Sequence, residues 1–532
     1  MKKRQIINII NFIRGIEPRE DIDLVKPVRE QILLMKKHHF KGTFLIQYDA
    51  LCNPIYTDLL RELDVNQFEL GIWCEVVQPL AEKAGIPWKG RYPWDWHAHC
   101  GFSVGYTIEE RKTMIDIFFQ DFKACFGFTP KSFGSWAFDA YTLDYASKEY
   151  GLDAACNCKD QWGTDGYTMW GGYYGQGYYP SRMNVFCPAG TLENQIETPV
   201  FRMLGSDPIY QYDLGLSEDK TATSFQGVAS LEPVYKDGAG GGVPQWVDWY
   251  LAENFSGNCL TFGYAQAGQE NSFGWESMKD GLEDQFEKFA RLAADGNLEI
   301  ETLGETGRWY KKTFAQTPPS SIAALSDWQD CGRRSIWYNC KNYRVNLYAE
   351  NGRFWIRDIY LFREDYRERY LDNVCTENEL TYDNLPIVDG NRFSGSGIRS
   401  GMYPSVGEES IAQGMPYIDL VYQEISGNAV VTFTGTPCGD VTFTLTENGI
   451  NIQKTSDTPL RLVSVQHEGA PNFPEIRQAS DKEIELCYRG YHYHVKVSKG
   501  TVVDQNTICS EGNEIAILLN ETFCACSGGN AQ

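Results

Sequence analysis

From residue 5 to about residue 316, short apolar runs alternate with segments whose apolar residues recur every three or four positions, the pattern of strands followed by helices that cover them. Ile6 to Ile13 reads as a first strand. The next segment places Val28, Ile32 and Met35 on one helical face, and Gly42 to Ile46 and Phe68 to Trp73 read as the second and third strands. Thr107 and Glu110 form a capping box for a helix with Met114, Phe118 and Phe122 inward and Gly127 as its stop. Lys131 to Trp136 and Asp153 to Cys158 read as strands on either side of a helix over Tyr141 to Tyr150. A late strand is expected at Leu260 to Tyr264, then a helix through Leu282, Phe286, Phe289 and Leu292, and Leu298 to Leu303 ends the series. About seven strand–helix units predict an α/β fold of the (β/α)7-barrel type, whose working face is the set of loops after the strand C-termini.

Two long interruptions stand out, one from residue 74 to about 105 and one from Trp162 to Tyr179. Connections of that length inside a compact domain usually carry function. Thr317-Pro318-Pro319-Ser320-Ser321 reads as a linker. Beyond it the helical period gives way to alternation, as in Tyr343 to Tyr348, and Asn351-Gly352 and Asn448-Gly449 are strong hairpin signals. The expectation is a barrel over residues 1–316 and an antiparallel β-sandwich over residues 322–532.

Charge and composition narrow the function. A net charge of −23 argues against nucleic acid and anionic membrane as partners, because both are gripped by clustered Lys and Arg. Aromatic residues make up 14% of the chain, and flat rings with a polar edge suit stacking on sugar faces. The basic start and apolar run of residues 2–13 resemble a leader, but Asn8, Asn11 and Arg14 interrupt the apolar stretch and close it, so it is read as a strand in a cytoplasmic protein. The 16 cysteines are then expected as reduced thiols, and the C-x-C pairs Cys156/Cys158 and Cys524/Cys526 lack the spacing of a structural zinc site. A homo-oligomer is left open.

The layout, with Gly42-Thr43-Phe44 on the second strand and Glu69-Leu70-Gly71 on the third, resembles the superfamily of NodB-type polysaccharide deacetylases and glycoside hydrolase families 57 and 38. The deacetylase motif H-x-x-x-H is represented by Cys74-Glu75-Val76-Val77-Gln78-Pro79, so Cys74 and Gln78 stand at the histidine positions. The paired aspartates after the first strand are replaced by Arg14-Gly15-Ile16-Glu17-Pro18-Arg19. Gly134-Ser135-Trp136-Ala137-Phe138-Asp139 is similar to the nucleophile stretch of family 57, with Asp for Glu. The resemblance therefore implies a carbohydrate-active barrel without the deacetylase metal, and no cofactor is expected.

Glycoside hydrolysis needs one protonated and one ionised carboxyl group flanking a bond. Asp139, Glu75 and Glu270 follow predicted strands and are the candidate catalytic carboxylates, with Glu232 and Glu305 behind them, although Glu305 also fits a helix cap. Substrate contacts are expected from Arg14, Glu17 and Arg19 after the first strand, Gln47 and Asp49 after the second, and Trp73 and Trp136 at strand ends. Asp160, Trp162, Asp207, Tyr210 and Trp275 complete the set, together with His97 and His99. The alternatives are a deacetylase whose metal ligands have moved to Asp95, His97 and His99, and a carbohydrate-binding protein without turnover.

Overall fold

A computed structural model describes residues 2–210, 229–395, 397–407, 413–467, 470 and 472–520. Seven parallel strands form the barrel wall: β1 (Gln5–Ile13), β2 (Gly42–Ile46), β3 (Phe68–Trp73), β4 (Ser132–Gly134), β5 (Ala154–Asn157), β6 (Val200–Arg202) and β7 (Gly263–Ala267). Their order is β7-β1-β2-β3-β4-β5-β6, and the short strand Gly177–Tyr178 runs antiparallel along β6. All nine residues of β1 are buried, as expected of a strand covered on both faces. Helices α1 (Val25–His38), α2 (Ile108–Phe126), α3 (Ala140–Tyr150), α4 (Pro244–Asn254), α5 (Trp275–Ala294) and α6 (Leu303–Thr313) are the main covering helices. The expected capping box at Thr107 and Glu110 is present, and an equivalent box joins Thr302 to Glu305.

Three elements differ from the reading of the sequence. The late strand is Gly263–Ala267 rather than Leu260 to Tyr264, because Leu260 adopts a left-handed conformation (φ 57°) outside the sheet. Gly263, Ala265 and Ala267 lie along β1, where small residues permit close packing and propensity gives little signal. The last short strand, Glu299–Glu301, pairs with the N-terminal half of β1. The long stretch after β5 is not an open loop: Gln161–Thr164 and Tyr167–Met169 form a small sheet with Leu380–Tyr382, which comes from far beyond the linker.

The linker itself is packed. Thr317, Ser320 and Ser321 are buried, and the Tyr173 hydroxyl donates to the Pro318 carbonyl at 2.9 Å. After it, a 10-stranded and an 8-stranded sheet, both predominantly antiparallel, enclose a second apolar core that includes Phe354, Phe433 and Phe443. Asn351 and Gly352, with φ of 53° and 69°, make the expected two-residue turn. At the second hairpin Gly449 pairs with Thr446, so Glu447 and Asn448 form the turn. Gly449 lies where a Cβ would come within 2.0 Å of the Ile517 carbonyl oxygen. Among the described residues no helix is long and apolar enough to cross a membrane.

Candidate active site at the barrel mouth

The loops after β1, β3 and β7 bring three charged side chains together. The backbone N–H of Arg14, one residue past β1, donates to the Asn271 side chain at 2.8 Å, and Asn271 donates back to the Arg14 carbonyl at 2.9 Å. That clasp fixes the β7 loop against β1. Gly268 allows the loop to enter, with φ of 100° and space so tight that a Cβ would lie 2.1 Å from the Ile10 carbonyl oxygen. Arg14 then spans two carboxylates, donating from Nη2 to Glu75 at 3.1 Å and from Nη1 to Glu270 at 3.2 Å. Gln47, just past β2, donates to the other oxygen of Glu75 at 2.7 Å. The Ser272 hydroxyl donates to the same Glu270 oxygen that Arg14 holds, whereas the second oxygen, Oε2, is buried without a hydrogen bond from any described residue.

One cation between two buried carboxylates leaves an excess negative charge, which burial disfavours. Burial pushes the Glu75 carboxyl up to about 7, Arg14 opposes the shift, and the neighbouring Glu270 charge reinforces it. Burial also works against the Arg14 charge, but Glu270 and Glu75 outweigh it and hold the guanidinium above its ordinary value. Glu75 therefore takes up a proton more readily than an ordinary glutamate, while Arg14 remains charged between the two carboxylates.

Over this trio lies Trp94, its ring 4.1 Å from the Arg14 guanidinium carbon. Arg19, joined to Glu17 by three hydrogen bonds, two of them from its guanidinium, sits above Trp94 and Trp96 at 5.4 and 5.0 Å. Trp96 stacks in turn on the exposed Tyr92, extending an aromatic surface toward solvent. On the other side, Gln269 accepts from the Glu270 backbone N–H and donates to Glu232 at 3.4 Å. Glu232 forms a buried ion pair with Lys159 at 2.6 Å. Burial raises the Glu232 carboxyl, yet Lys159 overcomes this and keeps it below the ordinary range.

The remaining expected site residues divide by place. Asp49 faces the mouth beneath Gly15, whose N–H it accepts at 3.1 Å, and burial raises its carboxyl to about 6. Trp73 lines the barrel interior, stacked on Phe12 and edge-on to Trp136. Asp139 is set apart from the trio. It is fully buried and caps α3 through the Thr142 N–H at 2.9 Å. It also accepts from the Ser103 and Thr142 hydroxyls at 2.6 Å each and pairs with Arg111 at 3.0 Å. Asp160 bridges Arg202 and Arg344, tying the barrel to the first sheet beyond it. Trp162 lies near Arg392, and Trp275 begins α5. Asp207 accepts from the Trp246 indole at 2.7 Å, while the Tyr210 hydroxyl donates to Asp327.

His97 and His99 stack at 5.9 Å, and Asp95, 3.6 Å from His97, is already occupied by two hydrogen bonds from the Arg91 guanidinium. Among the described residues no three His, Cys, Asp or Glu side chains group as a metal site would require. Every described cysteine is a free thiol, and Cys524 and Cys526 lie outside the described residues. Lys159, Trp94 and Ser272 complete the mouth without having been singled out in the sequence. Lys159 directly follows an apolar strand, a detectable signal, whereas Trp94 carries none.

No family model matches the chain, and no curated protein matches it by sequence. Among solved structures, a candidate glycoside hydrolase/deacetylase from Parabacteroides distasonis aligns over 72% of this chain and 89% of its own, with a TM-score of 0.52 and 15% identity. The similarity shows a common fold. A candidate polysaccharide deacetylase from Mycobacterium smegmatis aligns over 60% of this chain and 94% of its own, at 10% identity and a TM-score of 0.37.

Proposed function

We propose that this chain hydrolyses glycosidic bonds in a small glycan, with Glu75 as general acid and Glu270 as the ionised nucleophile or base. The observation that carries this reading is the shared guanidinium of Arg14 at the ends of β1, β3 and β7. With contacts of 3.1 and 3.2 Å to its two terminal nitrogens, the bonded carboxylate oxygens lie no more than about 9 Å apart, an upper limit that admits the separations of glycosidase pairs. Burial raises the Glu75 carboxyl to about 7, which favours holding the proton that a leaving oxygen needs. The Oε2 of Glu270, lacking a donor, is the lone pair available to attack an anomeric carbon or activate a water. Tyr92 and Trp96 offer rings to a sugar at the solvent side. The name of the Parabacteroides protein, a candidate glycoside hydrolase/deacetylase, agrees with a carbohydrate substrate.

A carbohydrate-binding protein without turnover is the second reading. One observation favours it: Glu75, Arg14 and Glu270 are all at most 3% exposed, so the roof formed by Trp94 must open for a sugar to reach them. Purified protein assayed on a panel of aryl glycosides and acetylated oligosaccharides separates these readings. New reducing ends, lost in Glu75→Gln and Glu270→Gln, are expected. Acetate release without new reducing ends overturns the glycosidase reading, and sugar binding without either product assigns the second.

A further inference from the structure

Residues 366–383, beyond the linker, fold back over the start of α3 and leave a second polar cavity of about 180 Å³. Arg367, Glu368, Arg369, Tyr382, Asp383 and Arg489 line it, and none of them belongs to the Arg14 cluster. The volume suits a ligand smaller than the usual drug-sized occupant.

In a chain of net charge −23, this cavity gathers three arginines, Arg367, Arg369 and Arg489. Asp383 is its buried anion, and two arginines share it, Arg369 at 3.0 Å and Arg489 at 3.5 Å. Arg367 is paired separately with Asp372. Glu368 is held by backbone donors. Its two oxygens accept the backbone N–H groups of Ala140 and Val185, and burial, reinforced by Asp139, raises its carboxyl to about 8. The Tyr382 hydroxyl is also buried and has no hydrogen-bond partner among the described residues.

A further sign comes from the backbone. Arg489 and Gly490 form the two-residue turn between strands Glu483–Tyr488 and Tyr491–Lys499, and Arg489 has φ of 51°. Asn or Gly is favoured in that conformation, so an arginine there accepts strain to place a cation at the cavity wall.

We infer that this cavity is a subsite for a small oxyanion, the carboxylate of an acidic sugar or a phosphate, bound by the guanidinium groups of Arg369 and Arg489. Neither the fold nor the proposed glycosidase chemistry requires it. The test is calorimetric titration of the full chain at pH 7 and low salt with glucuronate and with inorganic phosphate. At least one should bind, and Arg489→Asn should weaken it tenfold or more while Tm holds or rises, since Asn tolerates the turn. Glu270→Gln should bind as wild type, which separates this subsite from the barrel mouth. Glucuronate binding assigns an acidic sugar, and phosphate binding alone assigns phosphate. Absence of binding by both probes, or wild-type affinity in Arg489→Asn, overturns the inference.

Discussion

Of the buried arginine–carboxylate constellations in this barrel, the one around Asp139 and the one around Arg14 differ in how completely their polar atoms are satisfied. Asp139 receives Arg111, two hydroxyls and a helix N–H, so both oxygens are occupied. The Arg14 trio has two carboxylates on one cation, a Glu75 carboxyl raised to about 7 and a Glu270 oxygen without a donor. Burial costs free energy in both places, and hydrogen bonds and an ion pair oppose that cost at both oxygens of Asp139. Of these three carboxylates only Glu270 keeps an oxygen without a donor from a described residue, whereas both oxygens of Asp139 and of Glu75 are engaged.

The sharpest way to break this contrast is to neutralise each carboxylate. Glu75→Gln and Glu270→Gln should each lower kcat by about 10²- to 10⁴-fold, with the fold retained by circular dichroism. Wild-type turnover in either variant would return the trio to a structural role. Asp139→Ala should act on stability instead, costing about 3–5 kcal/mol in chemical denaturation because it leaves Arg111 buried without its partner. Activity of the folded fraction should persist, and selective loss of kcat at unchanged stability would move the chemistry to Asp139.

The next effect is pH dependence. Glu75 must be protonated to act as acid, so activity should decline as pH rises through about 7. Its raised native value also means that the folded state holds the proton more tightly than the unfolded chain. The associated stability is fully present below the ordinary glutamate value and is lost as pH climbs through about 7. Glu75→Gln should remove that part of the stability profile, and an unchanged profile would place the titration elsewhere. The smallest effect is expected from Trp94→Phe, which keeps a ring over Arg14 but weakens the cation–π contact by less than about 1 kcal/mol. A change in kcat above about tenfold would show that the indole does more than roof the site.

Much of this could be read from the chain. The capping box at Thr107, the helix faces and the Asn351-Gly352 turn are signals carried within a few residues, and the structure contains each of them. Gly263 to Ala267 was obscured because its small residues are selected by contact with β1, not by strand propensity. Asp139 carries two signals at once. Its place after a strand suggested chemistry, yet Asp139 followed three residues later by Thr142 at a helix start is also an N-cap signal. The segment 366–383 could not be assigned to the barrel side, since its partners lie far away in sequence.

The sequence by itself determined the order and type of the elements and the placement of carboxylates after strands, because periodicity and capping depend on near neighbours. Only the tertiary structure decided which carboxylates meet. Closing the sheet puts Glu75 and Glu270 on one guanidinium, and burial there, not residue type, raises the Glu75 carboxyl.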